Sequence, residues 1–320
     1  MGPITGDRLQ REGQTMKRAG RQNIKDVLRS AAVLTVFGLT VPGLACAQAA
    51  KAPLPSADQV LAKYERFLGG AAALSKVSTR TIETRRLQSG ARFSDTSLLR
   101  LSKRPLLSIM EQSALDGSFI HYGNGCDSKG GWIGSESSEN SGRPADGPAS
   151  TSGICQQELF YYGYLPLDLA ALKANIGRLE VKGESRIIPE SPGAAGALAG
   201  GRGGDLVPDG PRQAYLVLSS PLRPNDIYMW LYFDTETGAL LRREEAGKGP
   251  APTPPGLNTR HTDFVQYREV GDGTRAPFQF ISIEPNTEVH GVEVRIVDND
   301  PIGDDQFVRP NDVHRQDKGL

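Results

Sequence analysis

From residue 79 onward, apolar and polar residues alternate with the period of two that is typical of β-strands. Turn-forming pairs such as Ser-Gly, Arg-Pro and Asp-Gly separate many of the alternating runs. Short connections of this kind indicate antiparallel pairing, and we expect about 11 strands. The predicted strands lie near residues 79–88, 96–103, 106–113, 117–123, 178–187, 213–219, 227–234, 239–244, 262–270, 276–284 and 290–297.

Helical spacing of apolar residues occurs in two places. Residues 57–68 carry one apolar stripe, with Ser56 and Gln59 at capping-box positions and a Gly-Gly pair at the end. Residues 165–176 repeat the spacing directly after a cluster of aromatic residues. We therefore predict a mainly β (α+β) fold, in which a single strongly curved antiparallel sheet has helices over its concave face.

One predicted strand has apolar residues on both of its faces. In the run IYMWLYFD, Met229, Leu231 and Phe233 point to one side, and Trp230 and Tyr232 point to the other. An antiparallel sheet usually leaves one polar face in contact with water. The sequence therefore predicts that both sides of this strand are covered.

Three stretches rich in glycine, proline or small polar residues interrupt the strands, near residues 134–153, 190–210 and 247–258. Their composition is typical of flexible insertions. They do not resemble domain linkers, because the segments on either side do not form complete sets of packed layers. We expect a single domain over residues 50–320.

The N-terminal segment has the features of a secretory signal peptide. Basic residues precede the apolar run AAVLTVFGLTVPGLA, which ends near the small-x-small site Ala47-Gln48-Ala49. The run is about 15 residues long and contains a Pro-Gly pair, so it is too short to span a bilayer. We predict that residues 1–49 are removed after Ala49 and that the mature protein is periplasmic.

Three cysteines extend this interpretation. Cys126 and Cys155 would remain after export, and an oxidising compartment favours a disulfide between them over two free thiols. The disulfide would close a loop of about 30 residues and stabilise the fold by about 3–4 kcal/mol.

Cys46 follows a small residue, as in lipid-anchored proteins, although Leu44 is one position too late for that motif. A lipid anchor at Cys46 is therefore the alternative for the N-terminus.

Charge and motifs exclude several functional classes. Lys and Arg together number 37, as do Asp and Glu, and removal of residues 1–49 leaves a small negative charge, which argues against nucleic-acid binding. The local signatures of serine hydrolases, zinc proteases, c-type haem and P-loops are absent. We therefore expect no enzymatic activity, no cofactor and no metal.

Two weak motifs have simpler interpretations. Residues 271–276 fit a dinucleotide-binding fingerprint, but Pro277 and a strand pattern follow, which predicts a hairpin turn. Residues 298–305 resemble half of a calcium loop, but Ile302 and Arg309 occupy ligand positions, which favours a polar terminal loop. The histidines are scattered and have no metal-ligand spacing; they are His121, His261, His290 and His314.

The aromatic residues are the remaining feature of the sequence that could indicate a binding site. Aromatic side chains on strands and helices usually belong to the core. The alternative is an apolar pocket between the sheet and its helices. The residues that we expect to line such a pocket are Tyr64, Phe67, Trp132, Tyr161, Trp230, Tyr232 and Phe264.

Several stretches, taken in order, resemble the LolA/LolB-like superfamily of periplasmic lipoprotein carriers, which includes the outer-membrane lipoprotein-sorting proteins. They are ADQVLAKYERFLGGAAALSKVSTRTIE (57–83), CDSKGGWI (126–133), YFDTETGALLRRE (232–244), FVQYREVGDGTRAPFQF (264–280) and DNDPIGDDQFVRP (298–310), the last with Phe307 tucked inward. The resemblance implies an open half-barrel with helices over its concave face and an apolar cavity for acyl chains. One face of the strand IYMWLYF would then face the helices or cavity, and the Gly/Pro-rich insertions or a neighbouring chain would cover the other.

The resemblance leads to a functional hypothesis. We expect a non-catalytic envelope protein that binds a lipid or an acylated protein, as in lipoprotein sorting or transport, and that associates peripherally with the membrane. A scaffold that binds other envelope proteins is the alternative from a different class. A hydrolase that uses one of the histidines with a distant Asp and Ser ranks last.

Intact-mass measurement of the protein purified from an envelope fraction tests the predicted processing. We expect a chain that begins at Ala50 and whose mass is lower by two hydrogens than that of the reduced chain, because Cys126 and Cys155 are joined. A mass that includes acyl groups on Cys46 would instead support the lipid anchor. An unchanged mass after reduction would contradict the disulfide.

Overall fold

A computed structural model provides the structure of the protein. It describes residues 53–89, 94–104, 107–114, 120–127, 130–137, 178–190, 207, 210–220, 227–247, 250–258, 260–285 and 287–307. Within these ranges, no helix is both long enough and apolar enough to cross a bilayer.

Two helices precede the strands, and two short 3₁₀ segments occur later in the chain. The helices are α1 (Ala57–Phe67) and α2 (Gly70–Leu74), and the 3₁₀ segments are Gly271–Gly273 and Asp304–Phe307. The strands are β1 (Thr79–Ser89), β2 (Ser94–Lys103), β3 (Leu107–Ala114), β4 (Ile120–Asp127), β5 (Gly130–Ser137), β6 (Arg178–Ile187), β7 (Arg212–Ser220), β8 (Met229–Asp234), β9 (Leu240–Glu245), β10 (His261–Val270), β11 (Thr274–Glu284) and β12 (Thr287–Asp298).

All the strands belong to one antiparallel sheet. The strand order is β5-β4-β3-β2-β1-β12-β11-β10-β9-β8-β7-β6, a 12-stranded sheet. Each strand pairs with its neighbours in sequence, except that β1 pairs with β12 in the middle and that β5 and β6 lie at the two ends. Because β5 and β6 are at opposite ends, the sheet is not closed. The prediction of a large antiparallel sheet is therefore confirmed.

The strand beyond the predicted number is β5. It runs to Ser137, four residues into the stretch 134–153 that the sequence predicts as an insertion, and it pairs with β4 from Asp127↔Gly130 to Ile120↔Ser137. The segment GGWIGSES has no clear alternation, so pattern reasoning missed it; its place is set by backbone pairing with β4. The helix predicted over residues 165–176 lies outside the described residues.

Helix α1 forms where the sequence predicts it. The Ser56 side chain accepts a hydrogen bond from Gln59 N at 3.2 Å, and the Gln59 side chain accepts one from Ser56 N at 2.7 Å. This capping box satisfies two backbone groups at the helix start. The apolar stripe of Val60, Leu61, Tyr64 and Phe67 is buried, so the helix is held mainly by packing on the sheet.

Both faces of β8 are buried along its whole length. We call the face that carries Leu231 and Phe233 the inner face, because Phe233 contacts Tyr64 of α1. The outer face carries Trp230 and Tyr232. The prediction that both sides of this strand are covered is therefore confirmed, with α1 over the inner face.

Bidentate ion pairs join strands of the sheet. The pairs are Arg80–Asp298 across β1 and β12, Arg212–Asp234 across β7 and β8, and Arg242–Asp263 across β9 and β10.

Asp234 is almost fully buried. Burial alone would raise its pKa, but hydrogen bonds from Arg212 and Thr237 outweigh burial and lower the pKa. Such charges are tolerated inside a protein because each has a hydrogen-bonded partner.

Acidic residues of the terminal segment form ion pairs with basic residues elsewhere in the chain. Asp298 binds Arg80, and Asp304 Oδ1 lies 2.5 Å from Lys103 Nζ. Asn299 adopts positive φ and accepts a hydrogen bond from Ser78 N at 2.8 Å. The described residues contain no group of three side chains placed to hold a metal ion. Phe307 is buried at the end of this loop, as predicted.

Replacing Gly291 with alanine tests how closely β11 and β12 pack on the inner face. A Cβ at Gly291 would lie 2.0 Å from Cζ of Phe280, so we expect a loss of about 1–3 kcal/mol in the free energy of unfolding. The matched control is Gly183→Ala in β6, where nothing lies within 4 Å of the new Cβ; it should be neutral or slightly stabilising. Urea unfolding measures both, and equal stabilities would contradict the close packing of Phe280 on Gly291.

Candidate functional site

Aromatic side chains form the contact between α1 and the inner face. The rings of Tyr64 and Phe233 have centroids 5.4 Å apart, and those of Phe67 and Tyr267 lie 5.0 Å apart in an edge-to-face arrangement. We call these four residues the aromatic seam. Pairs of this geometry contribute about 0.5–1.5 kcal/mol beyond the apolar area that they bury. The seam therefore fixes α1 across β8 and β10.

The hydroxyl groups in the seam are satisfied internally. Tyr64 hydrogen-bonds Tyr267, and the Tyr267 hydroxyl donates to Leu240 O at 2.8 Å. Complete burial raises the pKa of Tyr64 well above its ordinary value because ionisation would place a charge in an apolar environment. Tyr64 is therefore a neutral packing residue, and the Tyr267 hydroxyl is satisfied by Leu240 O.

Helix α1 is fixed to the sheet at its middle and at its C-terminal end. Lys63 Nζ donates to Thr235 O at 2.5 Å in the turn between β8 and β9. At the helix end, Arg275 donates through its backbone N to Leu68 O at 3.0 Å and through Nη1 to Phe67 O at 3.1 Å. The Arg275 guanidinium also lies 5.7 Å from the centre of the Phe67 ring. The two hydrogen bonds from Arg275 satisfy carbonyl groups that the C-terminal end of a helix leaves without a partner.

The turn that resembles a dinucleotide fingerprint contacts the end of α1. Gly69 has φ 119°, and a Cβ there would lie 2.4 Å from Gly273 O. Residues 271–273 form the 3₁₀ turn between the paired strands β10 and β11. The hairpin interpretation is therefore confirmed, and the glycine at position 69 allows the close approach.

Beyond the seam, the inner face continues with an aromatic row. Phe264 of β10, Phe280 of β11 and Gly291 of β12 are directly opposite one another in register. The Phe280 ring lies over Gly291, where a side chain would collide with it. Phe264 and Phe280 are both buried. The inner face therefore presents a continuous apolar wall from α1 across β10 and β11.

The outer face is covered by a different part of the chain. Residues 250–258, which we call the strap, lie within the predicted insertion 247–258. Trp230 Nε1 donates to Thr253 O at 2.8 Å, and Thr253 N donates to Ala246 O at 2.8 Å. The strap therefore lies over Trp230 on the side opposite to α1.

A single buried carboxylate fixes the strap. Glu244 Oε2 accepts from the Tyr232 hydroxyl at 2.5 Å, and Oε1 accepts from Gly256 N at 2.8 Å and from Asn258 Nδ2 at 2.7 Å. Burial, followed by the hydrogen bond to Glu244, raises the pKa of Tyr232. Tyr232 is therefore a neutral donor, and the carboxylate links β8, β9 and the strap.

A second segment approaches the same outer face. Glu190 N donates to Asp263 Oδ2 at 2.7 Å, and Arg242 Nη2 donates to Ile188 O at 3.4 Å. His261 is directly opposite Glu244 in the β9–β10 register, and its pKa is lowered by burial and then by Arg242. The Arg242–Asp263 pair thus holds residues 188–190 beside the strap.

The residues predicted to line one pocket lie on both sides of the sheet. Tyr64, Phe67 and Phe264 are on the side of α1, whereas Trp230 and Tyr232 face the strap. The backbone of Trp132 is in β5 and that of Cys126 is in β4, while Tyr161 and Cys155 lie outside the described residues. The proposed disulfide therefore remains a prediction.

Sequence reasoning omitted three inner-face aromatic residues from the predicted pocket: Phe233, Tyr267 and Phe280. Phe233 could have been selected from the alternation in β8, which places it on the face opposite to Tyr232. The position of Tyr267 follows Gln266, which has a positive φ of 54°, so no regular pattern in the sequence indicates its contact with Phe67.

Comparisons with known proteins give matches only among solved structures. No protein-family model and no curated protein matches the chain. The chain is similar to a LolA superfamily protein from Nitrosomonas europaea, with 9% identity and a TM-score of 0.49, over 81% of this chain and 100% of that chain. It is also similar to a putative outer membrane lipoprotein-sorting protein domain from Vibrio parahaemolyticus, with 9% identity and a TM-score of 0.48, over 80% of this chain and 95% of that chain.

A third match is the complex of MucA and MucB from Pseudomonas aeruginosa, with 13% identity and a TM-score of 0.25, over 78% of this chain and 61% of that chain. The first structure is named for the LolA superfamily and the second for lipoprotein sorting, the two terms in which the sequence resemblance is stated above. At such identities and TM-scores, the similarities say nothing about what this chain binds.

Replacing Glu244 with glutamine tests whether the strap is held by this carboxylate. The variant keeps the shape but loses the charge that strengthens the bonds from Tyr232, Gly256 and Asn258, so we expect a loss of about 1–3 kcal/mol in local stability. Hydrogen exchange at the amide groups of Gly256 and Asn258 should accelerate. The matched control is Glu245→Gln, because Glu245 lies 3.9 Å from the exposed Arg260. Unchanged exchange in the Glu244 variant would contradict this role.

Proposed function

We propose that this chain is a periplasmic envelope protein that binds an acyl chain of a lipid or of a lipidated partner on the inner face of its sheet, as in lipoprotein sorting or transport. The observation that carries the proposal is the apolar wall formed by the aromatic seam, Phe264 and Phe280 in a sheet that is not closed. Because α1 covers this wall and its aromatic residues are buried, the proposal requires α1 to move when an acyl chain binds. The sequence motifs that resemble lipoprotein carriers support the same assignment.

Reversible binding of an acyl chain needs no catalytic group. Each buried methylene contributes about 0.8 kcal/mol, so one chain is held firmly enough to be carried and weakly enough to be released. The neutral state of Tyr64 is consistent with an apolar site, because burial keeps its hydroxyl protonated. Transfer would then be driven by the relative affinity of donor, carrier and acceptor for the same chain.

Export through a cleaved segment over residues 1–49 belongs to this proposal. It places the protein between two membranes, where acylated proteins and lipids need a carrier to cross water. The lipid anchor at Cys46 remains the alternative, and it would hold the same binding face beside one membrane.

Binding of an envelope protein is the second candidate function. Ile188 and Leu257 have exposed fractions of 66% and 70%, and both belong to the segments held on the outer face. Exposed aliphatic residues mark a contact surface where they form one contiguous patch, and this second candidate requires Ile188 and Leu257 to do so. This surface lies opposite to the proposed acyl site, so the two functions are compatible.

A photoreactive fatty acid tests the acyl site directly. We expect native mass spectrometry of detergent-free protein to detect a bound acyl lipid, and photolabelling to mark peptides that contain Phe264 or Phe280. The Phe264→Ala variant should weaken binding by reducing apolar contact, whereas the matched variant Trp230→Phe on the outer face should bind as the parent does.

Two results would contradict the acyl site. One is a protein that carries no lipid and does not bind the probe. The other is labelling confined to the strap and the segment around Ile188, which would favour the second candidate function instead.

A further inference from the structure

A histidine lies at the point where the strap joins the sheet. His261 is the first residue of β10, three positions after Asn258, the last residue of the strap. In the β9–β10 register it is directly opposite Glu244, the carboxylate that accepts hydrogen bonds from the strap. Residues directly opposite one another in an antiparallel sheet share a face and have Cβ atoms about 4.5–5.5 Å apart. The imidazole of His261 is therefore a neighbour of the group that fixes the strap.

One imidazole nitrogen of His261 is buried and lacks a hydrogen bond. Among the residues that the structure describes, none is a hydrogen-bond partner of its Nε2 atom, although the side chain as a whole is only half-buried. The neutral ring can leave Nε2 without a proton, whereas the protonated ring carries an N–H donor on both nitrogens. A buried donor without a partner is unfavourable. The attached strap therefore disfavours protonation of His261.

The charged groups around His261 come from β9, from β10 itself and from the segment 188–190. They are Arg242, Asp263, Glu190 and Glu244. On β11 the residue opposite His261 is the aliphatic Ile283, and the next charged group in that row is Glu288 on β12. The strap, residues 250–258, contains no ionisable side chain. The protonation of His261 is therefore controlled by burial, by one arginine and by nearby carboxylates.

The two carboxylates nearest to His261 on the sheet already have partners. Asp263 forms a bidentate pair with Arg242, and Glu244 accepts from Tyr232 and from the strap. Burial, followed by the charge of Arg242, lowers the pKa of His261. A proton on His261 would compete with the existing partners for these carboxylates. Protonation therefore opposes the hydrogen bonds that hold the strap.

Release of the strap would open His261 to water, where the pKa of a histidine is about 6.5. Because its pKa is lower with the strap attached, the released state binds more protons below about pH 6.5. The strap is therefore held most firmly above that pH, and its attachment weakens as the pH falls.

We propose that His261 is a pH-sensitive switch for the strap, so that acidification releases residues 250–258 from the outer face and uncovers Trp230 and Tyr232. Tryptophan and tyrosine are enriched in the contacts that contribute most to protein binding. The released state thus presents an aromatic surface that the attached strap covers. This inference does not depend on acyl binding, because the strap lies on the side of the sheet opposite to α1.

Amide hydrogen exchange of the full chain at about pH 7.5 and about pH 5.5 tests the switch. Protection factors are compared, because they correct for the intrinsic effect of pH on exchange. The amides of Thr253 and Gly256 form hydrogen bonds that fix the strap, and we expect their protection to fall by up to about tenfold at the lower pH. This is the limit for one proton, one pH unit below a pKa of about 6.5. The reference is the amide of Arg275 beside α1, which should keep its protection.

The His261→Gln variant should show the same strap protection at both pH values, because the glutamine amide does not take up a proton. The matched control is His290→Gln in β12; His290 pairs with Glu288, so this variant should keep the pH dependence of the parent. If His261→Gln does not fold, NMR titration of the His261 ring in the parent is the second test. Its midpoint should lie below about 6.5 and coincide with the loss of strap protection.

Several results would overturn the switch. One is equal protection of the strap amides at both pH values in the parent protein. Another is a pH dependence that persists in folded His261→Gln, which would assign the effect to a different group. An equal loss of protection at Arg275 would indicate general unfolding instead of strap release. A His261 ring that titrates at or above the ordinary value for histidine would also overturn the inference. Each of these results leaves acyl binding on the inner face untouched.

Discussion

The structure depends on the burial of both faces of strand β8. Strand β8 has apolar side chains on each side, and each of its residues is buried. A single sheet cannot meet this requirement by itself, because one face of an antiparallel sheet ordinarily contacts water. Helix α1 covers the inner face and the strap covers the outer one. The helix and the Gly/Pro-rich strap therefore bury strand β8 between them.

The two covers are attached by different chemistry, and the difference matters for function. Helix α1 contacts the sheet through pairs of aromatic rings. Two hydrogen bonds add to this contact: Lys63 of α1 donates to Thr235 O, and Arg275 of β11 donates to Phe67 O. The strap is attached through hydrogen bonds: Glu244 accepts from Tyr232 and from the strap, and Thr253 binds Trp230 and Ala246. A polar attachment of this kind needs exact partners, whereas an apolar wall accepts any molecule of suitable shape.

Ion pairs between arginine and aspartate residues also join strands of the sheet. The Arg80–Asp298 pair joins the first and last strands, β1 and β12, in the middle of the sheet. The Arg242–Asp263 pair lies on the outer face, where it also holds residues 188–190. Arg243, the next residue in β9, points to the opposite face. Two adjacent arginines thus lie on opposite faces of the sheet, because successive residues of a strand alternate between its faces.

Local patterns determined much of this protein. The capping box and apolar stripe specified α1, because a helix start and its buried face depend on residues within a few positions of each other. Alternation specified most strands and indicated that β8 needs cover on both sides. The double glycine at the end of α1 and the turn at residues 271–273 were also readable, because their backbone requirements are local.

Only the tertiary structure decided how distant residues combine. It placed Trp230 and Tyr232 on the face away from α1, although the sequence grouped them with Tyr64 and Phe67 as one pocket. It also added β5, whose glycine-rich sequence carries no strand pattern, and it gave the stretch around residues 250–258 a place over Trp230. Contacts between residues far apart in the chain depend on strand register and strand order, and a shift of one residue exchanges the two faces of a strand. Composition and periodicity do not carry that information. The sequence resemblance offered the helices or a cavity for one side of β8 and the Gly/Pro-rich insertions or a neighbouring chain for the other, and only the fold decided that α1 and the strap are the covers.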